Sequence, residues 1–289
     1  MYTILAMSKL LAVDLDGTLF YPKQLTRRIS KKNVAFLRKW IDAGNKLVLV
    51  TSRSTQFTAK LKDEIKRPVD FLNCCSSQII ANDKLIYDQC MPNEELKQIL
   101  NAIEETYEPI AFLMTSENHP CIIKYSRKVN RIFTVFYRIW WWFQFSYREP
   151  FTVDNEMFEH ELETARIYKI MNFIGIRKNK AKISKEINKE LREDYPEIES
   201  SWTAQVNELT PKGCNKGNGV ERYCRLLGIE KDDVYVVGDS GNDITMFNMF
   251  HEHSYCMMRG HPSARKYAKH IISRVYKLDK LLLGGENHE

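Results

Sequence analysis

The sequence predicts an α/β chain built on a parallel sheet and interrupted by a separate α+β unit. Leu10-Leu11-Ala12-Val13, Leu47-Val48-Leu49-Val50 and Val234-Tyr235-Val236-Val237 are short unbroken apolar runs, the pattern of strands buried on both faces. Two of these runs end directly in acidic strings, and segments with helical spacing accompany all three. Between about residues 83 and 202 the pattern changes to scattered strand candidates and charged amphipathic helices. The expected division is therefore a core of residues 1–82 and 203–289 around an insert of residues 83–202.

The first run leads into Asp14-Leu15-Asp16-Gly17-Thr18-Leu19. If the extended backbone persists, alternation points Asp14 and Asp16 the same way, and Gly17 lets the chain turn out of the sheet. Two close carboxylates in a crevice repel, and a hard divalent cation resolves that. Ser30 is a candidate N-cap for a helix with Val34, Leu37 and Ile41 on one face and Phe36 and Trp40 beside it. Gly44 ends it, and Lys46–Val50 follows as a strand, which makes a β-α-β crossover unit. Thr51-Ser52-Arg53 stands at that strand's end. The Thr51 hydroxyl can donate to a phosphoryl oxygen, or it can cap the helix expected over 55–66. Residues 68–75 read as a third strand, followed by Ser76-Ser77.

In the insert, residues 84–88, 111–115, 121–125 and 166–176 read as strands. Helices are expected over 93–107, with Leu96, Ile99, Leu100 and Ile103 inward, and over 179–192, with Ala181, Ile183 or Ile187, and Leu191 inward. Residues 132–147 are strongly aromatic and include Trp140-Trp141-Trp142. Three consecutive tryptophans cannot share one side of a helix, so some meet solvent, a ligand, a partner or a membrane surface. Insert core with a subunit interface, a flap stacking on a substrate ring, and a lipid-facing patch all fit.

Lys216 precedes a helix carrying Val220, Tyr223, Cys224 and Leu227, and at that N-terminus free N–H groups already favour an anion. The strand 233–237 ends in Gly238-Asp239-Ser240-Gly241-Asn242-Asp243, a string too dense in acid and glycine for a plain turn. Gly238 permits close backbone approach. Asp239 can ligate a metal, and Asp243 can orient a ligand, water or Lys216. Residues 255–258 and a helix over 263–269 close the core.

Apolar residues make up 44% of the chain and charged residues 28%, which is ordinary globular composition. The net charge of +6 helps attract anions without the dense basic clustering of a nucleic-acid binder, so no nucleic-acid partner is expected. Seven cysteines, an odd number with no C-x-x-C, fit reduced thiols in a cytoplasm.

The string hhhh-D-x-D-G-T-L resembles motif I of the haloacid dehalogenase-like (HAD) phosphohydrolases. Thr51-Ser52-Arg53, Asn215-Lys216-Gly217 and Gly238–Asp243 are similar to motifs II, III and IV, in order, of the Cof-like branch. The sequence departs from that branch at Ser52, where T-G-R is usual, and at Ser76-Ser77, where N-G is usual. The resemblance implies a doubly wound Rossmann-like core with a type IIB α+β cap acting as substrate lid. It implies that Asp14 is the nucleophile and Asp16 the general acid/base, and that Mg²⁺ is held by the Asp14 carboxylate, the Asp16 backbone carbonyl and Asp239. Thr51, Ser52, Lys216 and Asn242 would contact phosphate, supported by Asp243, Arg53, Gly17 and Gly238. The implied activity is hydrolysis of a small phosphorylated metabolite through an aspartyl-phosphate. A sugar phosphate is expected first and a nucleotide or cofactor phosphate next, the protein being a monomer or homodimer. A phosphomutase using the same Asp pair, or a non-catalytic binding or regulatory protein, stands as the alternative.

Overall fold

The computed structural model describes residues 8–23, 26, 28–126, 132–142, 149–175, 180–203 and 206–284. The core is an eight-stranded sheet. In chain order its strands are β1 (Leu10–Asp14), β2 (Lys46–Val50), β3 (Asp70–Asn73), β4 (Gln78–Ala81) and β5 (Lys84–Asp88). A second, six-stranded sheet, in the unit expected to act as the lid and called so below, contains β6 (Ala111–Ser116), β7 (Ile122–Tyr125), β8 (Thr152–Val153), β9 (Ile167–Phe173), β10 (Ile198–Thr203) and β11 (Val206–Pro211). The chain then returns to the core with β12 (Val234–Gly238), β13 (Ser254–Met257) and β14 (His270–Ile272). The core order is β14-β13-β12-β1-β2-β3-β4-β5, and the lid order is β10-β11-β9-β6-β7-β8.

β1 lies between β2 and β12 and is parallel to both, with Asp14 beside Val50 and Val13 beside Val237. That register brings Asp14, Thr51 and Asp239 to one edge of the sheet, the carboxyl ends of neighbouring parallel strands, where such sheets bind ligands. Alternation along β1 explains why both faces are covered. Leu11 and Val13 join the cluster with Phe36, Leu37 and Trp40 of the helix Lys31–Asp42. Leu10 and Ala12 join Val220 and Tyr223 of the helix Lys216–Leu227 on the other face.

Ser30 caps the first of these helices by accepting from Asn33 N. Its most buried face carries Phe36, Leu37 and Trp40, with Val34 and Ile41 partly buried, so the aromatic pair forms the centre of the contact. The wide Trp40 ring sits fully buried, its indole N–H donating to Lys46 O at 2.8 Å. Buried Asn33 donates to Leu19 O and accepts from Tyr276 N, which fastens the loop after β1 to this helix and to the C-terminal segment.

Several elements differ from expectation. The helix expected over 55–66 is two short pieces, Thr55–Thr58 and Leu61–Ile65. The third strand spans only Asp70–Asn73, because Cys74, Cys75 and Ser76 all have positive φ (48°, 53° and 76°) and turn the chain back into β4. β4 was not anticipated. β5 pairs antiparallel with it, so residues 84–88 belong to the core sheet. β10 and β11 belong to the lid sheet. The chain therefore crosses between sheets at 89–92 and 212–215, later than the expected boundaries at 82/83 and 202/203. The closing helix is shorter than expected, Pro262–Arg265.

Ser76 has a φ of 76°, a conformation that glycine adopts without steric cost. Its hydroxyl is buried with no hydrogen-bond partner among the described residues. Ser76→Gly is therefore expected to raise stability by about 1 kcal/mol, read as a higher urea midpoint at unchanged slope.

The helices Asn93–Tyr107, Asn155–Thr164 and Lys180–Asp194 cover one face of the lid sheet. Leu96, Ile99, Leu100 and Ile103 point inward as expected, with Ile187 and Leu191 from the last helix and Ile183 partly buried. The side chain of Ala181 lies outside the described residues. So do Trp140, Trp141 and residues 143–148 of the aromatic stretch. Among the described residues, no helix is long and apolar enough to cross a membrane.

Candidate active site

The strand β1 ends at Asp14. The chain turns through Leu15–Leu19, with Gly17 at φ 83°. A Cβ on Gly17 would lie 2.2 Å from Asp239 Oδ2, so the turn requires glycine twice over, for its φ and for its closeness. Because the strand ends there, Asp14 and Asp16 do not share one environment. Asp14 is buried and accepts from Lys216 Nζ at 2.7 Å through Oδ1, while its Oδ2 is buried without a hydrogen-bond partner among the described residues. Asp16 is partly exposed and takes both arms of Arg53, Nε at 2.7 Å and Nη2 at 3.1 Å.

Lys216 is fully buried at the start of its helix and also donates to Asp243 Oδ1 at 2.6 Å. Asp243 Oδ2 accepts from the backbone N–H groups of Asp239 and Ser240, each at 2.9 Å. A Cβ on Gly238 would stand 2.4 Å from Asp243 Cγ, so glycine admits this packing. Both oxygens of Asp243 are thus committed to holding the loop and the lysine. Asp239 Oδ1 accepts from the Thr18 hydroxyl at 3.3 Å.

The charges explain one another. Burial pushes the Asp14 carboxyl well above the usual carboxylate range; Lys216 opposes this, and Asp243 and Asp239 add to it. Burial, then Asp243, push Asp239 up to about 7. Burial works against charge on Lys216, but Asp14 and Asp243 outweigh it and hold its pKa well above the ordinary lysine value. Ligand oxygens of Asp14, Asp239 and Asp243 lie within 4.8 Å of one another. With Asp243 committed, the orphaned Asp14 Oδ2 and Asp239 are the oxygens that fit a hard divalent cation, which would relieve their repulsion.

Thr51 is buried, and its Oγ1 accepts from Arg53 N at 3.2 Å. It closes this turn and does not cap the following helix, whose first flanking residue is Ser54. The bond uses an acceptor site and leaves the hydroxyl proton available to an anion. Asn242 is engaged with the lid, its Nδ2 donating to Glu208 Oε2 at 3.0 Å. The Ser52 carbonyl accepts from the lid's Lys169. Arg53 reaches the lid too, its Nη1 donating to Glu149 at 3.2 Å, and Glu149 also accepts from Ser54 N at 3.2 Å and from the Ser54 hydroxyl. Burial opposes charge on Arg53, yet Asp16 and Glu149 together raise its pKa.

Thr18, Glu149, Lys169 and Glu208 were not anticipated as site residues. The signal for Lys169 and Glu208 was a charge inside a buried strand, Ile167-Tyr168-Lys169-Ile170 and Glu208-Leu209. For Glu149 it was the first acid after a long run without one.

The model of the haloacid dehalogenase-like hydrolases matches residues 11–279. The chain belongs to that family. This HAD-like hydrolase is 26% identical over 288 residues to a protein of Mycoplasma capricolum, a match covering 94% of this chain and 99% of the relative. It is 24% identical to the 5-amino-6-(5-phospho-D-ribitylamino)uracil phosphatase YwtE of Bacillus subtilis, covering 83% and 85%. Among solved structures, the HAD subclass IIB sugar phosphatase BT4131 superposes with a TM-score of 0.73 at 20% identity, covering 95% of this chain and 98% of that one. The HAD-like core with its inserted lid is thus the fold of the whole chain.

Proposed function

We propose that this HAD-like hydrolase is a Mg²⁺-dependent phosphatase acting on a small phosphomonoester through an aspartyl-phosphate on Asp14. The observation that carries the reading is Asp14 itself: a buried carboxylate at the end of the central strand, one oxygen on Lys216 and the other without a hydrogen-bond partner among the described residues. That free oxygen attacks phosphorus, and the leaving oxygen departs with a proton from Asp16. Asp16 then accepts a proton from the water that cleaves the aspartyl-phosphate. Lys216 and the Thr51 hydroxyl stabilise charge on the phosphoryl oxygens. Asp14, Asp239 and the Asp16 backbone carbonyl would hold Mg²⁺, which supplies neutralisation of phosphate and nucleophile charge.

We assign the lid to residues 89–215, from the strand memberships of the two sheets. A sugar phosphate is proposed first, a nucleotide or cofactor phosphate next. Supporting this, a cleft beside Lys216 and Asn242 is lined by the lid residues Asn188, Glu199, Ser201 and Trp202, a mix of polar groups and one aromatic ring that suits a hydroxyl-rich or ring-bearing ligand; Asp14 is not part of its lining.

Phosphate release from a panel of phosphomonoesters tests the proposal. Release is expected with Mg²⁺, falling to background in EDTA and returning when Mg²⁺ is restored. An unchanged rate in EDTA would remove the metal from the reading. Silence across the panel would overturn the phosphatase itself.

A further inference from the structure

The lid carries a feature that hydrolysis does not use. Between β7 and β8, the helix Ile132–Trp142 presents Ile132, Val135, Phe136, Ile139 and Trp142 to solvent, each more than half exposed. Their spacing puts all five on one helical face. They make up a large part of the exposed large hydrophobic residues among those described, and a concentrated apolar patch of this kind marks an interaction surface.

The opposite side of the helix is anchored. Tyr137 packs edge-on against Phe151 with ring centroids 4.7 Å apart and joins an apolar cluster with Leu113 and Ile123 of the lid sheet. The Thr134 hydroxyl bonds the Tyr125 hydroxyl. The helix is thus held to the lid by one side, with its apolar side turned out.

Charge identifies the occupant. From residue 127 to residue 148 the sequence contains Arg127, Lys128, Arg131, Arg138 and Arg148 and no Asp or Glu. A helix of 11 residues rises only about 16 Å, roughly half the hydrocarbon thickness of a bilayer, so it cannot span one. An apolar face with interfacial aromatics and a basic surround has the composition of a helix lying flat in a lipid headgroup region. We propose that this helix docks the lid onto an anionic lipid surface. A second copy of the chain is the weaker partner: a two-fold contact brings together two copies of a segment with five basic residues and no acid, whereas anionic headgroups neutralise such charge.

The test is flotation of the full chain with vesicles of equal parts phosphatidylglycerol and phosphatidylcholine. Phosphatidylcholine vesicles alone serve as the comparison. The wild type is expected to float with the anionic vesicles, less with the neutral ones, and to be released by high salt. Phe136→Asp with Ile139→Asp is expected to weaken anionic-vesicle binding about tenfold or more, since each charge would enter the apolar boundary. These residues are exposed, so the variant should keep its thermal midpoint and its rate on a soluble phosphomonoester. Arg138→Ser should lower binding and its salt dependence while leaving the apolar face whole. Failure of the wild type to bind anionic vesicles, or equal binding by the double variant, would overturn the proposal. So would a dimer in sedimentation that the double variant dissociates, because the face would then be a contact between copies. Flotation does not depend on turnover, so this result stands apart from that of the phosphatase assay.

Discussion

Asp14→Asn is expected to lower phosphate release by about a thousandfold or more while leaving the protein folded. The substitution removes the oxygen proposed as nucleophile but keeps an acceptor where Oδ1 takes the Lys216 ammonium. It also removes one of three clustered carboxylates that repel one another, those of buried Asp14 and Asp243 and partly buried Asp239. The metal-free variant should therefore melt no lower than the metal-free wild type, a case of activity and stability pulling in opposite directions at a functional site. Mg²⁺ should raise the melting temperature of the wild type more than that of the variant. Phosphate release and thermal melts with and without Mg²⁺ measure both halves. Wild-type turnover in the variant would exclude Asp14 as nucleophile, and a collapsed melt would show that the carboxylate is needed for folding.

Lys216→Met is expected to fail for the opposite reason. The lysine is fully buried, with Asp14 at 2.7 Å and Asp243 at 2.6 Å. Removing one partner of a buried ion pair leaves the other uncompensated, at a cost of about 3–5 kcal/mol. Here two carboxylates lose their cation together. Urea unfolding should show the loss as a lower midpoint, and turnover should fall with it. Combining Lys216→Met with Asp14→Asn should recover part of the stability, because one uncompensated charge is then gone. An unchanged midpoint in the single variant would mean that the triad contributes nothing net.

Much of the core was legible because its chemistry is local. At β1 and β12 an apolar run and the acid and glycine beyond it sit within a few residues, and the parallel register then brings these two ends together with that of β2. β4 was not legible: it has four residues, wedged between Ser76-Ser77 and Asn82-Asp83, and pairing with β3 and β5 makes it a strand. The sheet boundaries shifted for the same reason, since pairing across the chain decides which sheet a strand joins. The different surroundings of Asp14 and Asp16, one buried on Lys216 and the other partly exposed on Arg53, were not legible, because they depend on the turn after Asp14 and on partners distant in the chain. The lid's contribution was least visible. Glu149, Lys169 and Glu208 come from separate parts of the insert, with no motif between them, and meet Arg53, Ser52 and Asn242 only in the folded chain.

Arg53 holds Asp16 with two nitrogens and the lid's Glu149 with the third. Any separation of lid from core takes Glu149 out of that grip and leaves the guanidinium to Asp16 alone. Asp16, the group proposed to transfer protons, is thereby linked to the placement of the lid through a single intervening side chain. On the proposed mechanism, enclosure and proton delivery would be parts of one movement, and a substrate too large to let the lid seat would meet an acid restrained differently from the one that a fitting substrate meets.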